Sequence, residues 1–95
     1  MNLKALHKTE KEVSAIPLFK GQIGTTIAIQ LAANGKLKEH ITKTPALLLC
    51  IKGSVVYGDE NNLKFTLSPG DYIEIEPMVK HWHEGTELAE LVLIK

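Results

Sequence analysis

The chain has 95 residues, in which eleven lysines balance eleven acidic residues, and a hydrophobic fraction of 44%. This length predicts a single domain with one core, and the zero formal charge argues against nucleic acid or an anionic membrane as partner. The sequence contains no arginine, so sites built on bidentate arginine clamps are excluded.

The sequence carries no sign of secretion or of disulfide bonding. Cys50 is the only cysteine, which excludes an intramolecular disulfide, and its apolar neighbours predict a small buried side chain. The N-terminus lacks the apolar core of a signal peptide, and no apolar stretch approaches the roughly 20 residues that cross a bilayer. We therefore expect a cytoplasmic protein without a membrane partner.

Residues 1–23 differ in composition from the rest and are predicted to form an N-terminal arm. Thr9 and Glu12 have the spacing of a helical capping box, and Pro17 limits any helix that starts there to about two turns. The arm has two interpretations that the sequence leaves open. It packs on the barrel, or Ile16, Leu18 and Phe19 pack on a second subunit.

Residues 24–95 read as strands separated by turns. Apolar and polar residues alternate from Thr26 to Leu31, Asn34-Gly35 is a hairpin signal, and Ser68-Pro69-Gly70-Asp71 is a tight turn. The eight predicted strands cover residues 26–31, 36–42, 46–51, 55–57, 64–67, 72–76, 81–83 and 88–94.

Short strands at regular spacing, without a convincing helical period, predict an all-β domain. A sandwich, a jelly roll and a small closed barrel all suit the pattern. An antiparallel barrel of eight strands has a lumen that side chains fill or that holds one small ligand.

Histidines are the candidate functional residues. His81 and His83 are two apart and therefore share a face, with Trp82 on the other side and assigned to packing or an interface. His40 and Thr42 share a face in the same way. If the two strands are neighbours, His40, His81 and His83 converge, and three neutral imidazoles suit zinc, iron, nickel or copper. The alternative is that they hydrogen-bond within the lumen or to an organic ligand.

Two motifs resemble those of the cupin superfamily, in particular its small single-domain members. The segment from Gly35 to His40, with Thr42 and Gly53, is similar to the first cupin motif. Pro69-Gly70-Asp71, with Ile75, Pro77 and His81, resembles the second. The resemblance runs from about Gly24 to Lys95 and implies a cupin-type antiparallel β-barrel (double-stranded β-helix or jelly roll) over residues 24–95.

The departures from the family pattern concern the metal ligands that the resemblance implies. His40 and His81 match two histidines of the family, but Thr42 replaces the third histidine. The glutamate position falls near Ala46 or Leu47, neither of which can coordinate. His83 is a local candidate for a third ligand, and Glu84 or Glu87 could supply a carboxylate from the following loop.

Three functions remain open at this point. The first is a module that binds a small molecule, with or without a divalent metal, in a histidine-lined lumen. The second is a metal-dependent enzyme of the dioxygenase, isomerase or decarboxylase type that uses His40, His81 and His83. The third is a filled barrel that acts through dimer contacts, and the resemblance implies a homodimer in each case.

Overall fold

The computed structural model describes residues 1–8 and 11–95, and these residues form one short helix and nine strands. The elements are α1 (Leu3–Leu6), β1 (Val13–Lys20), β2 (Thr25–Leu31), β3 (Lys36–His40), β4 (Ala46–Lys52), β5 (Val55–Asp59), β6 (Lys64–Leu67), β7 (Tyr72–Ile75), β8 (His81–Gly85) and β9 (Ala89–Ile94). The predicted all-β class is confirmed.

The strands form two antiparallel sheets that enclose the core. The first sheet has the order β1-β2-β9-β4-β7, and the second has the order β3-β8-β5-β6. In the second sheet β8 lies between β3 and β5 and pairs with both. Residues 36–40 and 81–85 are thereby joined although they are far apart in the chain.

The inner faces of both sheets carry the buried apolar side chains, as the period-2 pattern predicts for sheets with one face inward. Leu48 and Cys50 are fully buried on β4, and Ile73 and Ile75 face inward on β7 while Glu74 is exposed. The buried core cluster consists of Ile29, Leu31, Ala46, Leu48, Cys50, Val55, Tyr57, Leu67, Ile75, Leu91 and Leu93.

The predicted N-terminal arm includes a regular strand. β1 pairs with β2 from Val13 to Lys20, with a register shift between Pro17 and Phe19, and so forms one edge of the first sheet. Leu18 and Phe19 are exposed, and Ile16 is half-buried. The predicted capping box includes Thr9, which lies outside the described residues.

No helix in the described part of the chain is long and apolar enough to span a membrane. The cytoplasmic location stays a prediction.

The turn between β4 and β5 depends on a glycine. Gly53 has a φ of +81°, a left-handed conformation, and a Cβ at this position would lie 2.1 Å from the carbonyl oxygen of Leu88. Gly70, in the turn between β6 and β7, also has a positive φ (+93°), but a Cβ there would meet nothing within 4 Å. A side chain at Gly70 would cause backbone strain alone, whereas one at Gly53 would cause both backbone strain and a steric clash.

We predict that Gly53→Ala destabilises the protein far more than Gly70→Ala. Gly70→Ala adds only the left-handed strain of about 1–2 kcal/mol, whereas Gly53→Ala must also displace the backbone of Leu88. Urea unfolding of both variants measures the difference in free energy. Equal losses would contradict the contact between Gly53 and Leu88.

Candidate functional site

Three histidine rings meet inside the barrel. His40 and His81 are Cα partners in the β3–β8 ladder, and their ring centroids are 3.9 Å apart. The ring of His83 lies 5.7 Å from that of His40 and 5.4 Å from that of His81. The structure therefore brings together the three histidines that the sequence singled out.

An irregularity in β3 turns His40 toward the other two rings. Leu37 pairs with His83, and His40 pairs with His81. These partners are three residues apart on β3 but only two residues apart on β8, so β3 carries one extra residue. An extra residue of this kind is a β-bulge, which re-aims the side chain that follows it. In a regular strand Leu37 and His40 would face opposite sides. The bulge lets Leu37 pack against the core while His40 also reaches the interior.

Backbone carbonyls fix the orientation of two of the rings. Nδ1–H of His40 donates to the carbonyl oxygen of Lys38 (3.0 Å), and Nδ1–H of His81 donates to that of Val79 (3.1 Å). A carbonyl oxygen can only accept, so in the neutral ring Nε2 carries the lone pair. Each ring thus presents a hydrogen-bond acceptor or metal donor at Nε2.

Several nitrogens of the cluster are buried without a partner. His81 and His83 are essentially inaccessible, with 0% and 1% exposure, whereas His40 is half-buried. No group in the described part of the chain forms a hydrogen bond with Nε2 of His81 or with either ring nitrogen of His83. Buried polar atoms are normally satisfied, so these nitrogens are free to meet a ligand atom or an ion.

Burial also keeps the two inner imidazoles uncharged. Burial first, and then the neighbouring His81 and His40, lower the pKa of His83 to about 3. The pKa of His81 is lowered mainly by burial, and the hydrogen bond to Val79 opposes that shift. Both rings are therefore neutral at pH 7.

Tyr57 and Asp59 complete the wall of the cluster and were missed in the sequence. The ring of Tyr57 lies 5.9 Å from that of His81 and 5.7 Å from that of His83. Its hydroxyl donates to Oδ2 of Asp59 (3.3 Å), and burial followed by the Asp59 charge raises the pKa of Tyr57 to about 12. The alternation of Val55, Tyr57 and Asp59 on one face of β5 was the signal that could have indicated them.

Asp59 is held by the turn that follows it. Its Oδ1 accepts the backbone N–H groups of Asn61 (2.8 Å) and Leu63 (3.2 Å). The residue is 5% exposed. A buried carboxylate with three hydrogen bonds fixes the position of the Tyr57 hydroxyl beside the histidines.

The histidines fit a divalent ion in donor type but not in placement. Neutral imidazoles oriented by backbone carbonyls are usual metal ligands. Among the described residues, however, no group of three or more His, Cys, Asp or Glu side chains is arranged to hold one ion. Ala46 and Leu47, at the expected glutamate position, are apolar, and Ala46 is buried. The metal site at His40, His81 and His83 stays a prediction.

An open cavity of about 420 Å³ adjoins the cluster at His40. Thr42, the predicted pocket residue, forms part of its wall, and the Thr42 hydroxyl is buried without a partner. The other lining residues are Ile23, Thr25, Ile41, Lys43, Thr44, Leu93 and Lys95. A volume of this size suits a small organic molecule.

The remaining histidine and the cysteine lie outside the cluster. Nδ1 of His7 is 2.7 Å from Oγ of Ser14. Cys50 is a buried free thiol whose pKa is raised, chiefly by burial.

Trp82 and the acidic candidates also lie away from the cluster. Trp82 packs over Gly58, where a Cβ would lie 2.6 Å from the indole nitrogen. Glu84 and Glu87 are exposed, and Asp71 accepts the backbone N–H of Ser68 (2.9 Å) within its own turn. No carboxylate predicted from the sequence joins the three histidines.

Comparison with known proteins identifies the fold. A cupin superfamily protein from Desulfitobacterium hafniense matches with a TM-score of 0.86 and 17% identity, covering 98% of this chain and 84% of that one. A cupin-2 domain protein from Shewanella frigidimarina matches with a TM-score of 0.82 and 13% identity, covering 100% of this chain and 92% of that one. KdgF from Halomonas sp. matches with a TM-score of 0.77 and 14% identity, covering 93% of this chain and 83% of that one.

The chain therefore has the cupin fold, and the fold that the two sequence motifs implied is confirmed. No model of a protein family and no curated protein matches the sequence. At this level of identity the likeness defines the architecture and leaves the activity open.

We predict that acid destabilises the protein through the buried ring of His83. The folded-state pKa of His83 lies below the unfolded value of 6.5. Its contribution is therefore complete above pH 6.5 and is lost as the pH falls toward 3. A shift of this size is worth about 2 kcal/mol between pH 7.5 and 5.

Urea unfolding at several pH values tests this dependence, with His83→Gln as the variant and His7→Gln as the matched control. His83→Gln is expected to make the free energy of unfolding depend less on pH. His7→Gln is expected to leave most of that dependence in place. An NMR signal of imidazolium from His83 at pH 6 would show that the ring is not desolvated as described.

Proposed function

We propose that this protein is a small cupin that binds a small organic molecule in the cavity lined by His40 and Thr42, against the buried histidine cluster. The observation that carries the proposal is the buried, unpartnered hydroxyl of Thr42 in the wall of this cavity, beside His40 and the histidine cluster. The hydroxyl of Thr42 and the buried nitrogens of His81 and His83 lack partners. An unpaired buried polar group costs roughly 1–3 kcal/mol, and hydrogen bonds to a bound ligand would offset that cost for the Thr42 hydroxyl.

The cavity offers both apolar and polar contacts to such a ligand. Ile41 and Leu93 line it together with Thr25 and Thr44, and His40 separates it from the inner rings. Small-molecule sites are commonly apolar with a few convergent polar groups. The open mouth leaves part of a ligand in water, so we expect weak binding that depends on its polar contacts.

A metal-dependent enzyme is the second candidate. The lone pair on Nε2 of His81 and the unpartnered nitrogens of His83 favour it. The absence of a carboxylate at Ala46 or Leu47 and the placement of the three rings count against it. The predicted homodimer likewise remains a proposal.

A four-carbon probe panel tests small-molecule binding. The probes are 3-hydroxybutyrate, butyrate, 1,3-butanediol and butylamine, each titrated into ¹⁵N-labelled protein while backbone amide shifts are recorded. We expect at least one probe to give saturable shifts at residues 40–44 and 93. Amides of the distant turn at residues 68–71 serve as the internal control.

The variant Thr42→Val checks that the hydroxyl serves binding and not folding. Its hydroxyl is buried without a partner among the described residues, so we expect the free energy of unfolding to stay unchanged or to rise by up to about 1–3 kcal/mol. The absence of saturable shifts for all four probes would overturn the proposal.

Metal addition distinguishes the two candidate functions. If no ion binds the cluster, Zn²⁺, Ni²⁺ or Fe²⁺ leaves the melting temperature of EDTA-treated protein unchanged. A bound ion at one hundred times its Kd would add about 2.7 kcal/mol and raise the melting temperature by more than about 10 °C. Such a rise, lost in His81→Gln and retained in His7→Gln, would establish the metal-dependent candidate instead.

A further inference from the structure

The charged side chains that line the cavity are lysines. Lys43 and Lys95 line it with His40, and none of its described lining residues is acidic. Lysine is a point charge that attracts carboxylates and phosphates without the planar geometry of arginine. The cavity therefore favours a ligand with a negative charge.

The two lysines differ in how freely their charge acts on the cavity. Lys95 also lines the neighbouring surface cavity, which carries Glu74 and Glu76, so its side chain has a second surface, with two carboxylates, beside it. Lys43 lines only the cavity at His40 among those described here. Lys43 is thus the stronger source of attraction for an anion.

His40 favours a hydrogen-bond donor on the ligand in addition to the negative charge. Its Nδ1–H donates to Lys38, so Nε2 of the neutral ring accepts a hydrogen bond. A carboxylate cannot donate to that lone pair, whereas a hydroxyl can. The buried, unpartnered hydroxyl of Thr42 in the same wall can either donate to or accept from such a hydroxyl.

The cavity has room for a ligand that carries both an anionic group and a hydroxyl group only if the carbon chain joining them is short. Ile41 and Leu93 add apolar surface to the lining to which the exposed Lys43 and the half-buried His40 also belong. A volume of about 420 Å³ lies near the lower end of the range for ligand sites. A compact ligand can therefore place one end at Lys43 and the other at His40.

We infer that the ligand is a small hydroxy acid, with its carboxylate toward Lys43 and its hydroxyl between His40 and Thr42. This inference rests on the proposed function, since it names the ligand class of the same cavity. The acid stays beside the exposed Lys43, where its charge keeps much of its hydration. The hydroxyl supplies the hydrogen bonds that the inner wall lacks.

The ranking of the four-carbon probes tests the ligand class. We expect 3-hydroxybutyrate to bind roughly threefold to tenfold more tightly than butyrate or 1,3-butanediol, because only it carries both groups. Butylamine should bind most weakly. Added NaCl should weaken 3-hydroxybutyrate and leave 1,3-butanediol unchanged, because salt screens only the charged pair.

Variants test which residue contacts the carboxylate of the ligand and which contacts its hydroxyl. Lys43→Gln should weaken 3-hydroxybutyrate roughly threefold to tenfold and leave 1,3-butanediol unaffected. Lys64→Gln, at an exposed lysine on β6, is the matched control and should change neither. His40→Phe should reduce the affinity for 3-hydroxybutyrate to that for butyrate, since it removes the acceptor of the hydroxyl.

The outcomes separate the two proposals. If 1,3-butanediol or butylamine binds at residues 40–44 as tightly as 3-hydroxybutyrate, or if Lys43→Gln has no effect, the hydroxy-acid inference is overturned while small-molecule binding stands. If no probe binds there, both proposals fail.

Discussion

The pairing of β3 with β8 is the constraint on which the interior of this domain depends. Two segments more than forty residues apart in the chain become neighbours, and the extra residue between Leu37 and His40 sets which side chains enter the barrel. Without it, His40 would face away from His81 and His83. The β-bulge in β3 thus directs the His40 side chain at the end of this strand into the polar cluster.

The polar cluster is tolerated because its two inner histidines are neutral and its other members are partly satisfied by hydrogen bonds. Burial lowers the pKa of His83 and His81, so the apolar core around them does not enclose charge. Asp59 is the exception, and three hydrogen bonds from Tyr57, Asn61 and Leu63 hold it. Among the described residues this leaves unpaired nitrogens in the interior, beside the cavity of the proposed binding site.

Much of the fold could be predicted from the sequence, because strand alternation and turn residues are local signals. The alternation at Ile73 and Ile75 and the turn at Ser68–Asp71 needed no knowledge of distant contacts. The site was predictable only in part. His81 and His83 share a face by simple spacing, but the inward turn of His40 arises from pairing with a distant strand.

Tyr57 and Asp59 were missed for the same physical reason. Their role comes from lying opposite His83 and His81 in the β5–β8 ladder, and no local pattern encodes that register. Strand β1 shows a further limit. Pro17 and the polar residues before it obscured a segment that the pairing with β2 makes into a regular edge strand.

One backbone contact links the rim of the cavity to the strand that carries the inner histidines. The carbonyl oxygen of Thr42 accepts the N–H of Met78 (2.8 Å), and Met78 holds a φ of +66°, which is unusual for a residue other than glycine. Val79, whose carbonyl orients the ring of His81, follows directly. The loop at Thr42 and the segment that orients the His81 ring are therefore joined by a direct backbone hydrogen bond, so the wall of the cavity and the interior share one anchor point.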